Sequence, residues 1–172
     1  MGRVMTVRRA QPRDAEAVAG VHVRSWQVGY GGLLPAEYLE ALRPEDRMGR
    51  YQFDAPDPDL PFTVVAVEDD VIHGFATTGP ARDVDALGCG ELLALYVDPG
   101  AWGRGVGRRL MSEARAELGR RGFSEAILWV LVGNERAERF YVADGWVADD
   151  VGRRDEIWGV AVDEVRYRRP LP

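Results

Sequence analysis

The sequence predicts an α/β chain of the α+β kind: a mixed, mostly antiparallel sheet of about seven strands flanked by helices, in the order β-α-α-β-β-β-α-β-α-β-β. Three observations carry this. Short apolar runs, alternating or continuous, recur along the chain; stripes of helical period lie between them; and Gly, Pro and Asp mark the joins. At 172 residues the chain reads most simply as one domain, 1–172, able to bury roughly 70% of its unfolded surface.

Val4 to Arg9 alternates enough for a first strand. From Pro12 to about Gln27, the residues Ala15, Val18, Val21 and Ser25 fall on one stripe, with Asp14 in the first turn where a helix favours negative charge. Between Trp26 and Pro35 glycines and two large aromatics break that pattern. Pro35 suits a helix start, and Ala36 to Leu42 and Glu45 to Phe53 read as two short helices. The Pro/Asp run from Asp54 to Pro61 is a loop, because neither side could bury a core alone. Phe62 to Glu68 and Val71 to Thr78 form a hairpin around Asp69-Asp70, and Gly79 to Gly90 is a polar loop.

Glu91 to Val97 is the central strand. The helix after it carries Val106, Leu110, Ala114 and Leu118 four apart on one face, and Gly122 suits its left-handed C-cap. Ser124 to Val132 is a strongly apolar strand. Asn134 caps a helix that runs to about Asp144 and ends at Gly145. Trp146 to Asp149 and Val160 to Arg169 complete the sheet.

Composition excludes several functions. The net charge of −6 argues against nucleic acid as a partner and mildly favours a cationic substrate. No apolar run approaches 18 residues, so a membrane partner is not expected and the chain should be cytoplasmic. Cys89 is the only cysteine, read as a small buried hydrophobe rather than an acyl-carrying nucleophile. His22 and His73 are too few for a metal site. All 22 basic residues are arginine, so no lysine exists for a Schiff base. Whether the chain is a monomer or a homodimer the sequence leaves open.

The stretch Val97-Asp-Pro-Gly-Ala-Trp-Gly103-Arg-Gly105-Val-Gly107-Arg-Arg109 places a glycine-rich turn between a buried strand and a helix start. That arrangement presents bare backbone N–H groups to an anion. Arg104, Arg108 and Arg109 oppose the dipole of the helix they begin, by roughly 0.3–1 kcal/mol each. A phosphate-bearing ligand at that end would offset the cost; the alternative is a solvated arginine cluster. The dinucleotide fingerprint fails in both registers, at Arg108 and at Leu110, and the Walker loop needs a lysine.

Trp102-Gly-Arg-Gly-Val-Gly107 after an apolar strand, followed by Asn134 and then Phe140-Tyr141-x-x-x-Gly145-Trp146, resembles the GNAT acetyltransferase superfamily. The resemblance spans nearly the whole chain and is strongest over Glu91 to Gly145. In that family the turn reads Arg/Gln-x-x-Gly-x-Gly/Ala. Gly105 and Gly107 match, whereas Trp102 stands in place of the leading Arg/Gln. The resemblance implies acetyl-CoA as co-substrate, with no metal. It implies that the amides of Gly103, Arg104, Gly105, Val106, Gly107 and Arg108 hold the diphosphate. The backbone of Leu95, Tyr96 and Val97 would run along the pantetheine, and Asn134 would bind the same arm. Tyr141 would protonate the departing thiolate. Without the resemblance, Asn134 is a helix cap and Phe140-Tyr141 are core aromatics.

Acetyl transfer to an amine needs a base, donors for the oxyanion and an acid for the thiolate. An alkylamine with pKa of about 10.4 is neutral about once in a few thousand molecules at pH 7. Glu91 is the candidate base, on the strand face of Leu93 and Leu95, or else a solvated strand-end carboxylate. Asp83, Asp85, Asp155 and Glu156 are weaker candidates. Trp26, Tyr30 and Leu33, with Trp158 from the other side, would cover the acceptor, or else pack under loops. The expected acceptor is the primary amine of a small molecule. A protein or peptide amine, or an acyl-CoA-binding domain without turnover, are the rivals.

Overall fold

The computed structural model describes residues 2–53, 57, 60–157 and 159–172. Residues 54–56, 58 and 59 of the expected Pro/Asp loop, and Trp158, lie outside them. The described elements are β1 (Thr6–Arg9), α1 (Ala15–Gly29), α2 (Ala36–Ala41), α3 (Glu45–Met48), β2 (Phe62–Glu68), β3 (Val71–Pro80), β4 (Gly90–Val97), α4 (Val106–Arg120), β5 (Glu125–Leu131), α5 (Glu135–Ala143), β6 (Val147–Ile157) and β7 (Val160–Pro170). Three helices precede β2, as the reading of Pro12–Gln27, Ala36–Leu42 and Glu45–Phe53 expected and one more than the abbreviated element order gave. The third stops at Met48, well short of the expected Phe53.

One sheet holds seven strands in the order β1-β2-β3-β4-β5-β7-β6. Every neighbouring pair is antiparallel except β4 and β5. A parallel pair needs a crossover, and α4 supplies it. This helix buries Val106, Leu110, Met111, Ala114 and Leu118 against β2, β3 and β4. Each large side chain contributes on the order of 2 kcal/mol, and Leu110→Ala would cost about 3 kcal/mol. On the opposite face α1 lays Val18 and Val21 against Val65 and Phe75.

Both long C-terminal helix ends close as the local sequence predicts. After α4, Phe123 N–H donates to Leu118 O and Gly122 N–H to Gly119 O. After α5, Trp146 N–H donates to Tyr141 O and Gly145 N–H to Val142 O, both at 3.0 Å. These are Schellman closures with glycine in the left-handed position. The second one ties Tyr141 to Trp146, which is 1% exposed.

The last hairpin departs from expectation. β6 runs to Ile157, far past Asp149, with a register shift between Ala148 and Gly152. Its polar sequence lacks the apolar alternation that marks a strand. Among the described residues no helix is long and apolar enough to cross a membrane.

Candidate active site

The parallel pairing of β4 with β5 covers three positions only: Gly90 with Ala126, Glu91 with Ile127 and Leu92 with Leu128. Beyond Leu92 the strands part. Asp98 N–H donates to His73 O in β3, so by the two-residue period Tyr96 also pairs toward β3. The N–H groups of Leu95 and Val97 therefore face the gap, with no strand beside them. Parallel strands that diverge in this way leave backbone donors along a wedge open to a ligand.

At one end of the wedge lies the glycine turn. Asp98 Oδ1 accepts from Gly100 N–H at 3.1 Å, fixing the turn's entry. Gly103 and Gly105 adopt φ of +77° and +81°, which most residues avoid. Gly107 lies against Phe140: a Cβ there would stand 3.2 Å from its ring. Among the described residues the amides of Gly103, Arg104, Gly105, Val106, Gly107 and Arg108 have no recorded acceptor. Three of these begin α4, so the dipole adds to their pull on an anion. Arg104 donates to Glu68 at 2.5 Å, which commits its side chain outside the groove. Arg108 lines the groove.

The groove has a volume of about 380 Å³ and passes Leu95, Val97, Asn134 and Tyr141. Asn134 caps α5, its Oδ1 accepting from Ala137 N–H at 3.3 Å. Its Nδ2 donors are left for the groove. Tyr141 is held edge-on between Phe140 and Trp146, with ring centroids 5.6 and 6.4 Å away. Burial raises its hydroxyl pKa above the usual phenol value. The residue is therefore protonated throughout the neutral range, but is a weaker acid than a free phenol.

A second cavity of about 250 Å³ adjoins the first. Tyr30, Leu95, Tyr96, Asn134, Ala137 and Tyr141 line both, so the two meet where β4 and β5 separate. Trp26, Tyr30 and Trp129 contribute aromatic wall, and Glu91, Asp155 and Glu164 contribute carboxylates. Glu91 is 7% exposed. Burial, and then the charge of Asp83, lift its pKa to about 7. Glu164 is likewise raised by burial, and its Oε1 accepts from Arg153 Nε–H at 3.0 Å. Arg153 also lies 4.1 Å above the Trp129 ring.

Glu91 does not share a face with Leu95, contrary to expectation. Thr77 pairs with Ala94 but Thr78 pairs with Leu92, leaving Leu93 as an extra residue in β4. This bulge reverses the alternation. Leu92, Leu95 and Val97 join the core under α4, whereas Ala94 and Tyr96 join the core under α1. Glu91, adjacent to Leu92, thus faces the α1 side with Tyr96. The bulge turns the carboxylate into the second cavity.

Of the expected acceptor residues, Trp26 and Tyr30 line that cavity. Leu33 does not: it packs with Leu131 and Trp26, and its Cδ2 crowds Gly133. Asp83 and Asp85 are bound to Arg166 at 3.0 and 2.7 Å, and only Asp155 of the weaker carboxylates reaches the cavity. Cys89 is buried in a small apolar cluster with Ala81, Ala86 and Ile127. His22, on α1, stacks on Tyr96 at 5.5 Å and burial pushes its pKa down to about 3, which removes it as a neutral-pH base.

Trp129, Arg153 and Glu164 were not foreseen. Glu164 had a usable signal. It occupies the phase of Val160 and Val162 in β7, an inward position where a carboxylate is costly unless it serves a purpose. Arg153 had none, because β6 does not alternate.

A sequence model of the family described as "Acetyltransferase (GNAT) family" matches residues 31–146. An uncharacterized N-acetyltransferase, YuaI, of Bacillus subtilis (strain 168) is 32% identical over 165 residues, 94% of this chain and 91% of that one. Spermidine N(1)-acetyltransferase of Thermoplasma acidophilum is 25% identical over 156 residues, 88% of this chain and 93% of that one. Among solved structures, the PaiA N-acetyltransferase of Thermoplasma acidophilum, in complex with coenzyme A, superposes with a TM-score of 0.70. It is 23% identical, over 94% of this chain and 98% of that one. That likeness is one of overall fold. With the family match covering the glycine turn, Asn134, Tyr141 and Gly145 alike, the chain belongs to the GNAT family of acetyltransferases.

Proposed function

We propose that the whole chain acts as one N-acetyltransferase domain, moving an acetyl group from acetyl-CoA to the primary amine of a small molecule by direct attack. The observation that carries this is the row of bare amides from Gly103 to Arg108, opening a groove that continues past Tyr141 to Glu91. The glycine turn fits a diphosphate, since three of its donors lie in the first turn of α4 and Gly103, Gly105 and Gly107 add no side chains over them. When bound there, acetyl-CoA supplies an activated thioester.

The protein's residues supply the rest. Amides of Gly103 to Arg108 hold the phosphates, and the Leu95 and Val97 N–H groups orient the arm and its carbonyl. Asn134 donates from Nδ2 while its Oδ1 serves the helix. Glu91, with a pKa of about 7, accepts the ammonium proton directly or through water, a role suited to a base poised near neutrality. Tyr141 donates its hydroxyl proton to the leaving sulfur. Burial that makes this phenol a weaker acid also raises the pKa of a thiol in the same site, so the proton still has a destination.

A small amine is favoured over a peptide by the second cavity's size and by its aromatic walls. Its carboxylates favour a cation over an anionic acceptor. The relative named for spermidine acetylation supports a small-molecule acceptor as well. A thiol-release assay over panels of small amines and of peptides tests the reading. Faster turnover of small amines is expected. Preference for peptides would move the acceptor class, and tight CoA binding without turnover on any amine would leave a binding domain.

A further inference from the structure

Trp102 occupies the place where related glycine turns carry a cation or amide, yet a cation stands directly on it. The guanidinium of Arg136, in the first turn of α5, lies 3.3 Å from the Trp102 ring centroid. Trp102 is itself fixed, its Nε1–H donating to Val97 O at 2.8 Å. Both residues line the groove.

Arg136 is out of balance with its surroundings. Among the described residues no carboxylate lies within ion-pair distance of it, and neighbouring Glu135 is within 3.6 Å of Arg139 instead. A positive charge at a helix N-terminus is also opposed by the dipole, and partial desolvation of this largely exposed residue lowers the pKa of its guanidinium. The stack on Trp102 offsets part of this, because a planar guanidinium binds an aromatic face well and keeps its N–H edge free. Of the turn's own cations, Arg104 is tied to Glu68, whereas Arg108 also lines the groove. The groove thus has a cation without an acid, aimed by an indole one residue from Gly103.

We infer that Arg136, seated on Trp102, is a further binding residue for the coenzyme's diphosphate, standing in for the side-chain contact that a Trp at position 102 cannot make. The inference rests on the acetyl-CoA reading above. It names a contact from α5, an element separate from the turn and α4 that supply the amides.

Calorimetric titration tests it with acetyl-CoA, with dephospho-CoA, which lacks the 3′-phosphate, and with phosphate-free pantetheine read by displacement. Arg136 is exposed, so Arg136→Gln should fold normally; its melting temperature checks this. The variant is expected to bind acetyl-CoA and dephospho-CoA about 10-fold more weakly, by the same factor, with pantetheine unchanged. Trp102→Leu should weaken both phosphorylated ligands in the same direction. Unchanged affinity of Arg136→Gln would overturn the inference, as would a loss seen with acetyl-CoA but not dephospho-CoA, or a loss shared by pantetheine. If the wild-type chain bound none of the three, the acetyl-CoA reading would fall with it.

Discussion

Glu91 stands opposite Ile127, one rung before the parallel pairing of β4 and β5 ends at Leu92 and Leu128. The bulge at Leu93 follows at once, so the carboxylate is held by the sheet at the point where the sheet opens. With Glu91 as the proposed base, its pKa of about 7 predicts an activity that rises through neutral pH as it loses its proton. Glu91→Gln should lower kcat about 100-fold at pH 7.5 and remove that rise from the kcat/KM profile. A variant that keeps the same profile would exclude Glu91 as the base.

The same residue has a consequence for stability. Its folded pKa of about 7 lies above the ordinary 4.5. The contribution of its protonated form is therefore fully present below 4.5 and is lost as pH rises through 7. Glu91→Gln should then be more stable than wild type at pH 8, by on the order of 3 kcal/mol at most, and little changed near pH 4. Urea unfolding at both pH values reads the difference. Activity and stability would move in opposite directions at one position.

Tyr141→Phe should lower kcat about 100-fold with acetyl-CoA affinity nearly unchanged. Burial raises the phenol's pKa, so no inflection from tyrosine ionisation should appear between pH 6 and 9. Steady-state kinetics alongside calorimetry separates the two effects; equal turnover would remove Tyr141 from the acid's role.

Arg166 is 2% exposed and binds three carboxylates, Asp83, Asp85 and Asp149. Asp83 in turn accepts from the Trp129 indole at 3.1 Å and adds to the rise of the Glu91 pKa. Arg166→Met removes the cation these three acids share, although Asp149 keeps Arg168 at 3.3 Å and Asp83 keeps Arg153 at 3.9 Å; with Asp85 largely solvated, the cost should be about 3 kcal/mol. Thermal unfolding should fall by roughly 10 °C for a chain of this size.

Gly105 holds φ of +81° as the residue before α4, with nothing near enough to obstruct a Cβ. Gly105→Ala should therefore cost about 1–2 kcal/mol by backbone strain alone and tilt the amides that follow. Acetyl-CoA affinity should drop with it. A melting curve and a binding isotherm on the same preparation measure both.

The sequence shows most clearly what is local. Gly122, Asn134 and Gly145 cap helices as their types require, and the Gly103–Gly107 turn is read from spacing alone. What depends on pairing is hidden. The face of Glu91 turns on a bulge that forms only when β4 meets Thr77 and Thr78 of β3. The commitment of Arg104 to Glu68 crosses 36 residues. Arg153 reaches the cavity on a polar edge strand whose sequence resembles a loop, whereas Glu164, a charge in the inward phase of Val160 and Val162, was legible in the sequence. Leu33 has the right neighbours in sequence but packs beneath them.

On the reading proposed above, the backbone nitrogens of Gly103 to Arg108 grip the coenzyme's diphosphate. The most direct test is an amide-resolved nuclear magnetic resonance titration of the chain with acetyl-CoA. The largest shifts should fall on those six residues and on Leu95 and Val97, and should persist with dephospho-CoA. Shifts confined to other parts of the chain, or none at saturating ligand, would contradict the account.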